Sequence, residues 1–178
     1  MTIEFANKTN YNSIKQLYCE AFPRHERMPF FMLKKAVKKG KSEILIAKER
    51  GELIAFAYVI LKKDMVYLFY FAVFQALRNK GIGSVLLKYL IEHYHGKRIF
   101  LAVEQPNEAV SDNEVRIKRK AFYLKNGFCD HRYKLKVKNV IFDVLSFGGE
   151  VTKEEYKNIF YYWGGKAFNM FMKITITD

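Results

Sequence analysis

Residues 53–61 and 65–74, LIAFAYVIL and MVYLFYFAVF, are apolar at nearly every position and are separated by Lys62, Lys63 and Asp64 alone. A strand places successive side chains on opposite faces, so Ile54, Phe56, Tyr58 and Ile60 line one face of the first segment while Ala55, Ala57, Val59 and Leu61 line the other. Neither face tolerates water. The turn is too short for a crossover, which makes the pair an antiparallel hairpin at the centre of a sheet, with helices on both sides. A membrane helix fails on length, because 65–74 is about half the ~20 residues that cross a bilayer.

The flanking chain supplies the cover. A strand at 2–6 precedes a helix at 11–22 that carries Ile14, Leu17, Tyr18 and Ala21 on one face and is stopped by Pro23. A second helix begins at Pro29 and ends at Gly40, and a strand at 44–48 leads through the turn 49–52 into the hairpin. Ile82, Val85, Leu86, Tyr89 and Leu90 recur at helical spacing before a strand at 98–103, a crossover that makes this strand parallel to 65–74. Ser111 and Glu114 read as a capping box opening a helix that closes at Asn126-Gly127. Cys129, His131, Tyr133, Leu135 and Val137 alternate with Asp130, Arg132, Lys134, Lys136 and Lys138, a strand with one wet face paired with 140–147. Thr152 and Glu155 form another capping box before a helix through Trp163, and Gly164-Gly165 releases a tail left unassigned.

This pattern predicts an α/β (α+β) fold, a mixed and mostly antiparallel sheet of about seven strands with helices on both faces. At 178 residues it reads as one domain, 1–178, with an added C-terminal helix and tail at about 152–178. Half the residues are hydrophobic, which excludes a disordered chain. The N-terminus lacks a basic region followed by an apolar one, and Cys19 and Cys129 show neither disulfide nor metal spacing. A cytoplasmic, reducing setting follows, with Cys19 a core or partly covered thiol. No metal is expected either: His25-Glu26 lacks the second histidine of HExxH, and His93 and His95 read as a polar helix end.

The formal net charge of +13 attracts anions without naming one. Chemistry is more specific at Arg78-Asn79-Lys80-Gly81-Ile82-Gly83-Ser84, where a buried strand gives way to an amphipathic helix. A helix N-terminus presents unpaired amides and the positive end of its dipole, and Gly81 and Gly83 let a phosphate oxygen reach the backbone. Arg78 and Lys80 add charge, so the segment reads as a cradle for a diphosphate. Leu86 stands where a dinucleotide fingerprint needs its third glycine, and no P-loop Gly-Lys-Ser/Thr is present.

Arg78-x-x-Gly81-x-Gly83 resembles the cofactor motif of the GNAT family of acyl-CoA-dependent N-acetyltransferases. So does Phe122-Tyr123-Leu124-Lys125-Asn126-Gly127-Phe128, an aromatic residue shortly before Gly-Phe. The likeness runs from the first helix to the paired strands after Phe128. Gln75 and Asn79 depart from the proline and glycine of many relatives, though Asn tolerates the left-handed conformation such a loop needs. The resemblance implies a GNAT-like sheet and acetyl-CoA (CoA) as co-substrate, held by the backbone of Phe71, Ala72 and Val73 and by Arg78, Asn79, Lys80, Gly81, Ile82, Gly83 and Ser84. It also implies Tyr123 as general acid for the departing thiolate, and direct attack by a primary amine in a ternary complex.

The amine must first lose a proton. Glu104, at the end of the parallel strand, and Glu26, in the loop after the first helix, are the candidate bases, each acting through water. Each has an ordinary alternative as a loop carboxylate or a salt-bridge partner of Arg119 or Arg27. The expected partner is a small-molecule or peptide amine, with no membrane, no specific nucleic acid, and a homodimer compatible with the pattern. Two other readings are a noncatalytic RNA-binding domain, tracking phosphates with Arg116, Lys118, Arg119 and Lys120 and the basic residues 132–138, and an acyl-CoA-binding regulatory relative without catalysis.

Overall fold

The computed structural model describes the backbone of residues 1–137, 139–172 and 174–177, and their side chains apart from 166–172, 174 and 177. The described residues form eight strands and five α-helices, and the strands pair antiparallel with one parallel exception. The predicted fold class is therefore found, with one strand more than expected. The chain divides into two compact units, Met1–Leu61 with Leu68–His95, and Lys62–Tyr67 with Gly96–Asp178.

In the first unit, β1 (Thr2–Phe5) pairs with β2 (Ser42–Glu49), β2 with β3 (Glu52–Lys62), and β3 neighbours β4 (Met65–Val73). Helices α1 (Tyr11–Ala21), α2 (Phe30–Lys38) and α3 (Ile82–His93) complete it. Cross-strand partners share a face, and the register Ile44↔Tyr58, Ile46↔Phe56 defines one. On that face Tyr18 of α1 packs edge-on against Phe56 at 6.4 Å, and the Tyr58 hydroxyl donates to the Leu33 carbonyl of α2 at 3.2 Å. The opposite face holds Glu43, Leu45 and Phe5, and there the end of α3 arrives. His93 meets the Phe5 ring at 4.9 Å, and the Tyr94 hydroxyl donates to Glu43 at 2.5 Å. The two-sided burial read from β3 is thus met by helices on both faces. Cys19 is a correction. The buried side of α1 is Ile14, Leu17 and Tyr18, and one residue further round the helix the thiol is exposed.

In the second unit the start of β4 runs parallel to β5 (Arg98–Glu104), from Met65↔Arg98 to Tyr67↔Phe100. β5 pairs with β7 (Val140–Phe147), β7 with β6 (Cys129–Val137), and β6 with β8 (Ile174–Thr177). Helix α5 (Lys153–Met172) begins at the predicted capping box: the Thr152 amide donates to Glu155 at 2.9 Å and the Glu155 amide to the Thr152 hydroxyl at 3.2 Å. Glu155 also takes both arms of the Arg98 guanidinium at 2.7 and 2.9 Å, which fixes α5 to the start of β5. A non-helical Gly165 (φ 74°) kinks α5 where the sequence reading ended the helix.

One local expectation fails. Ser111 does not cap α4 (Asn113–Lys125); the N-cap is Asp112, whose carboxylate turns to Arg116 at 3.0 Å, while Glu114 is drawn to Lys118. β6 keeps the expected alternation, with Tyr133 and Leu135 buried between the exposed Arg132 and Lys136, while its register with β7 shifts: Asp130↔Leu145 is followed by Lys134↔Asp143. Lys138, at the end of that predicted alternation, lies outside the described residues.

Candidate active site

The first unit carries the anion cradle. β4 ends at Val73, the chain makes a 3-10 turn over Gln75–Leu77, and the Arg78 side chain reaches back so that its Nε donates to the Val73 carbonyl at 3.1 Å. Asn79 and Gly81 are both left-handed, at φ 63° and 81°, which turns the chain through a tight angle and delivers it into α3. The departure from glycine at position 79 is therefore absorbed as expected. Gly81 is the N-cap residue of α3. No side chain caps this helix, no acidic residue occupies its first turn, and a Cβ built on Gly81 would meet nothing within 4 Å. Arg78, Asn79 and Lys80 are exposed around it. An amide-lined, positive, sterically open helix end suits an anion and repels none.

The same unit holds Glu26. Its loop is pinned by two phenols: Tyr70 donates to the Glu26 carbonyl at 3.0 Å and accepts from the Met28 amide at 3.0 Å, and Tyr18 donates to the Met28 carbonyl at 3.0 Å. Burial pushes both phenols up, so they stay protonated donors. The Glu26 side chain is exposed, 3.8 Å from His25.

The second unit holds Glu104 and Tyr123. Tyr123 is the one buried residue of α4, 6% exposed, and its ring lies against Phe122 and Phe128 at 5.0 and 5.6 Å. Burial pushes its phenol up, and the charge of Arg119 pulls in the opposite direction. Glu104 sits opposite Phe142 at the end of β5, with Oε1 3.3 Å from Arg116 and Oε2 3.6 Å from Arg119. The anticipated ion pair with Arg119 is present. Arg116 was not anticipated, although its spacing from Asp112 (i,i+4) is the signal that would have found it.

Ion pairs join helix α4 to its sheet. Below the Glu104 pair, Lys120 binds Asp143 at 2.5 Å and Asp130 at 2.6 Å, and Lys134 binds the other Asp143 oxygen at 2.7 Å. Burial alone would push the Asp143 carboxyl up, but the two lysines outweigh it and hold the group below the usual carboxylate range. Two cavities, of about 850 and 1030 Å³, lie one in each unit and are lined by none of the predicted site residues.

Residues 11–128 match the acetyltransferase (GNAT) family. The chain belongs to the GNAT family of acetyltransferases. As a member it is an acyl-transferring enzyme, in a family that uses acetyl-CoA. No curated protein sequence matches it. Among solved structures, a GNAT-family protein from Bacteroides thetaiotaomicron is 22% identical with a TM-score of 0.74, covering 94% of this chain and 98% of its own. An aminoglycoside 6'-N-acetyltransferase complexed with coenzyme A is 16% identical with a TM-score of 0.67, over 83% and 96% of the two chains. The ribosomal-protein-S18-alanine N-acetyltransferase of Escherichia coli is 18% identical with a TM-score of 0.63, over 85% and 96%. At these identities the likeness is one of fold. Among the described residues, no helix of this GNAT protein is long and apolar enough to cross a membrane.

Proposed function

We propose that this protein transfers the acetyl group of acetyl-CoA to a primary amine of a small molecule or peptide, by direct attack and in the cytoplasm. The observation that carries the reading is the left-handed Asn79/Gly81 turn, which presents the uncapped start of α3 beside Arg78 and Lys80. Amides of residues 81–84 and these two cations would hold the diphosphate, and the backbone of Phe71, Ala72 and Val73 the pantetheine arm. Acetyl-CoA supplies the acetyl group as a thioester. In this reading the Val73 amide would stabilise the developing oxyanion, and Tyr123, protonated at neutral pH, would give its proton to the sulfur. Of the two candidate bases, Glu26 is exposed on a firmly held loop and takes the amine proton through water, whereas both oxygens of Glu104 face guanidinium groups.

The RNA-binding reading draws less support. Of the basic residues it would use, Arg116, Arg119, Lys120 and Lys134 are occupied by carboxylates of the chain itself. Exposed free thiols at Cys19 and Cys129 agree with a reducing compartment.

The test is a thermal-shift comparison of acetyl-CoA, CoA and NAD. Either CoA species should raise the melting temperature, since a ligand at 100 times its Kd adds about 2.7 kcal/mol to the folded state, and NAD should not. Gly83→Val should remove the CoA response, because a branched side chain there would stand in the anion approach, and Gly83 has no positive φ that the substitution would strain; urea unfolding of the variant separates loss of binding from loss of fold. An unmoved midpoint at millimolar CoA, together with no heat of binding, would defeat the proposal.

A further inference from the structure

A phenol buried as Tyr123 is buried resists becoming an anion, yet it must become one for a moment if it protonates the departing sulfur. A nearby cation would lower that cost. Lys120, one turn back on α4, is committed to Asp130 and Asp143 at 2.6 and 2.5 Å. Arg116 is 13% exposed and tied to Asp112, Glu104 and the Gln105 carbonyl at 3.0, 3.3 and 3.4 Å. Arg119 differs. It precedes Tyr123 by four residues on the same helix, so the two side chains are neighbours on one face. Its side chain is 46% exposed, and Glu104 holds one of its terminal nitrogens at 3.6 Å, leaving further N–H donors of the guanidinium fork.

We infer that Arg119 stabilises the Tyr123 phenolate formed as the proton leaves, and that Glu104 is a positioning residue that holds Arg119 for this task. The inference rests on the assignment of Tyr123 as general acid. In the step, the acceptor nitrogen (or water oxygen) bonds to the acyl carbon and gives up a proton, the C–S bond breaks with its electron pair on sulfur, and the Tyr123 O–H proton passes to that sulfur. The phenolate left behind sits beside the guanidinium until the proton released by the acceptor returns to it through water. Nothing is oxidised or reduced. Glu104 is nearly enclosed, its side chain 15% exposed, and as a carboxylate between two guanidinium groups it orients them both, with Arg116 as the fixed post.

The decisive experiment is a double-mutant cycle read as thiol release from acetyl-CoA, with water and with benzylamine as acceptors. Arg119→Met should lower kcat about tenfold to a hundredfold with little change in KM for acetyl-CoA, and Arg119→Lys should recover part of the loss. Glu104→Gln should cost a smaller factor and add nothing once Arg119→Met is present. In a Tyr123→Phe background, Arg119→Met should change the rate less than about twofold, because two residues acting through one proton are not additive. Urea unfolding of each variant separates loss of fold from loss of chemistry. The same loss in both backgrounds, or a loss confined to KM, would overturn the role of Arg119 while leaving Tyr123 standing. A Tyr123→Phe enzyme as fast as wild type would overturn the general acid and, with it, this inference.

Discussion

Tyr123→Phe is expected to lower kcat for thiol release from acetyl-CoA by about 10²- to 10⁴-fold, the range for removal of a positioned general acid. The substitution keeps the ring that packs against Phe122 and Phe128 and deletes only the hydroxyl, so melting temperature and CoA affinity should stay near wild type. The loss belongs in kcat, because the proton is needed only as the sulfur departs. Burial raises the phenol above its ordinary value of about 10 by penalising the anion, and Arg119 moderates that rise. The group is therefore fully protonated at neutral pH, and its reactivity depends on what receives the charge. Rapid-quench measurement of a single turnover checks the prediction. Wild-type rates under conditions where chemistry limits would make the phenol a packing residue and leave solvent to protonate the thiolate.

What the sequence displays well is whatever is encoded locally. The two-faced apolar pattern of 53–61 predicts helices on both sides of β3, and Tyr18, Leu33, His93 and Tyr94 supply them in the first unit. Asn79 is legible because few residue types tolerate a left-handed conformation. The two capping boxes show the limit of local reading. Thr152 and Glu155 satisfy each other, and Arg98, distant in sequence, reinforces the same geometry. Ser111 and Glu114 have the same spacing, but Asp112 and Lys118 offer charged partners that redirect the turn. A motif worth about 1 kcal/mol yields to competing charges of similar strength.

Long-range charge pairing was illegible for a different reason. Lys120 and Lys134 look like solvated lysines in a chain of net charge +13, and only the carboxylates that meet them reveal otherwise. One sign was available: Asp143 is the lone acid within VIFDVLSF, and an acid inside a buried strand requires a cation. The register shift at 131–133 falls beside the same cluster, where Lys134 Nζ lies 3.8 Å from an Asp130 oxygen. The extra strand β8 carries a regular alternation, Ile-Thr-Ile-Thr, but is too short to announce its pairing with β6.

Asp143→Ala should destabilise the protein by about 3 kcal/mol, near the lower end of the range for breaking a buried ion pair. The carboxylate is wholly enclosed, while its partners Lys120 and Lys134 are 21% and 25% exposed on their side chains. Removing it leaves two partly buried ammonium groups to share Asp130, and water reaches them enough to soften the penalty. The pH dependence has a definite sign. Asp143 is held below its unfolded value, so it contributes stability above about pH 3.9, and that contribution is lost as pH falls through the lower folded value. Lys120 is raised, so its share is complete below about pH 10.4 and is lost only in strong alkali. The stability difference between wild type and Asp143→Ala should accordingly be flat through neutrality and shrink on acidification below about pH 4. Urea unfolding across that range measures it directly. A difference under about 1 kcal/mol at neutrality, or one unchanged by acid, would mean that Asp143 is held by its packing and that the lysines contribute little to fixing α4.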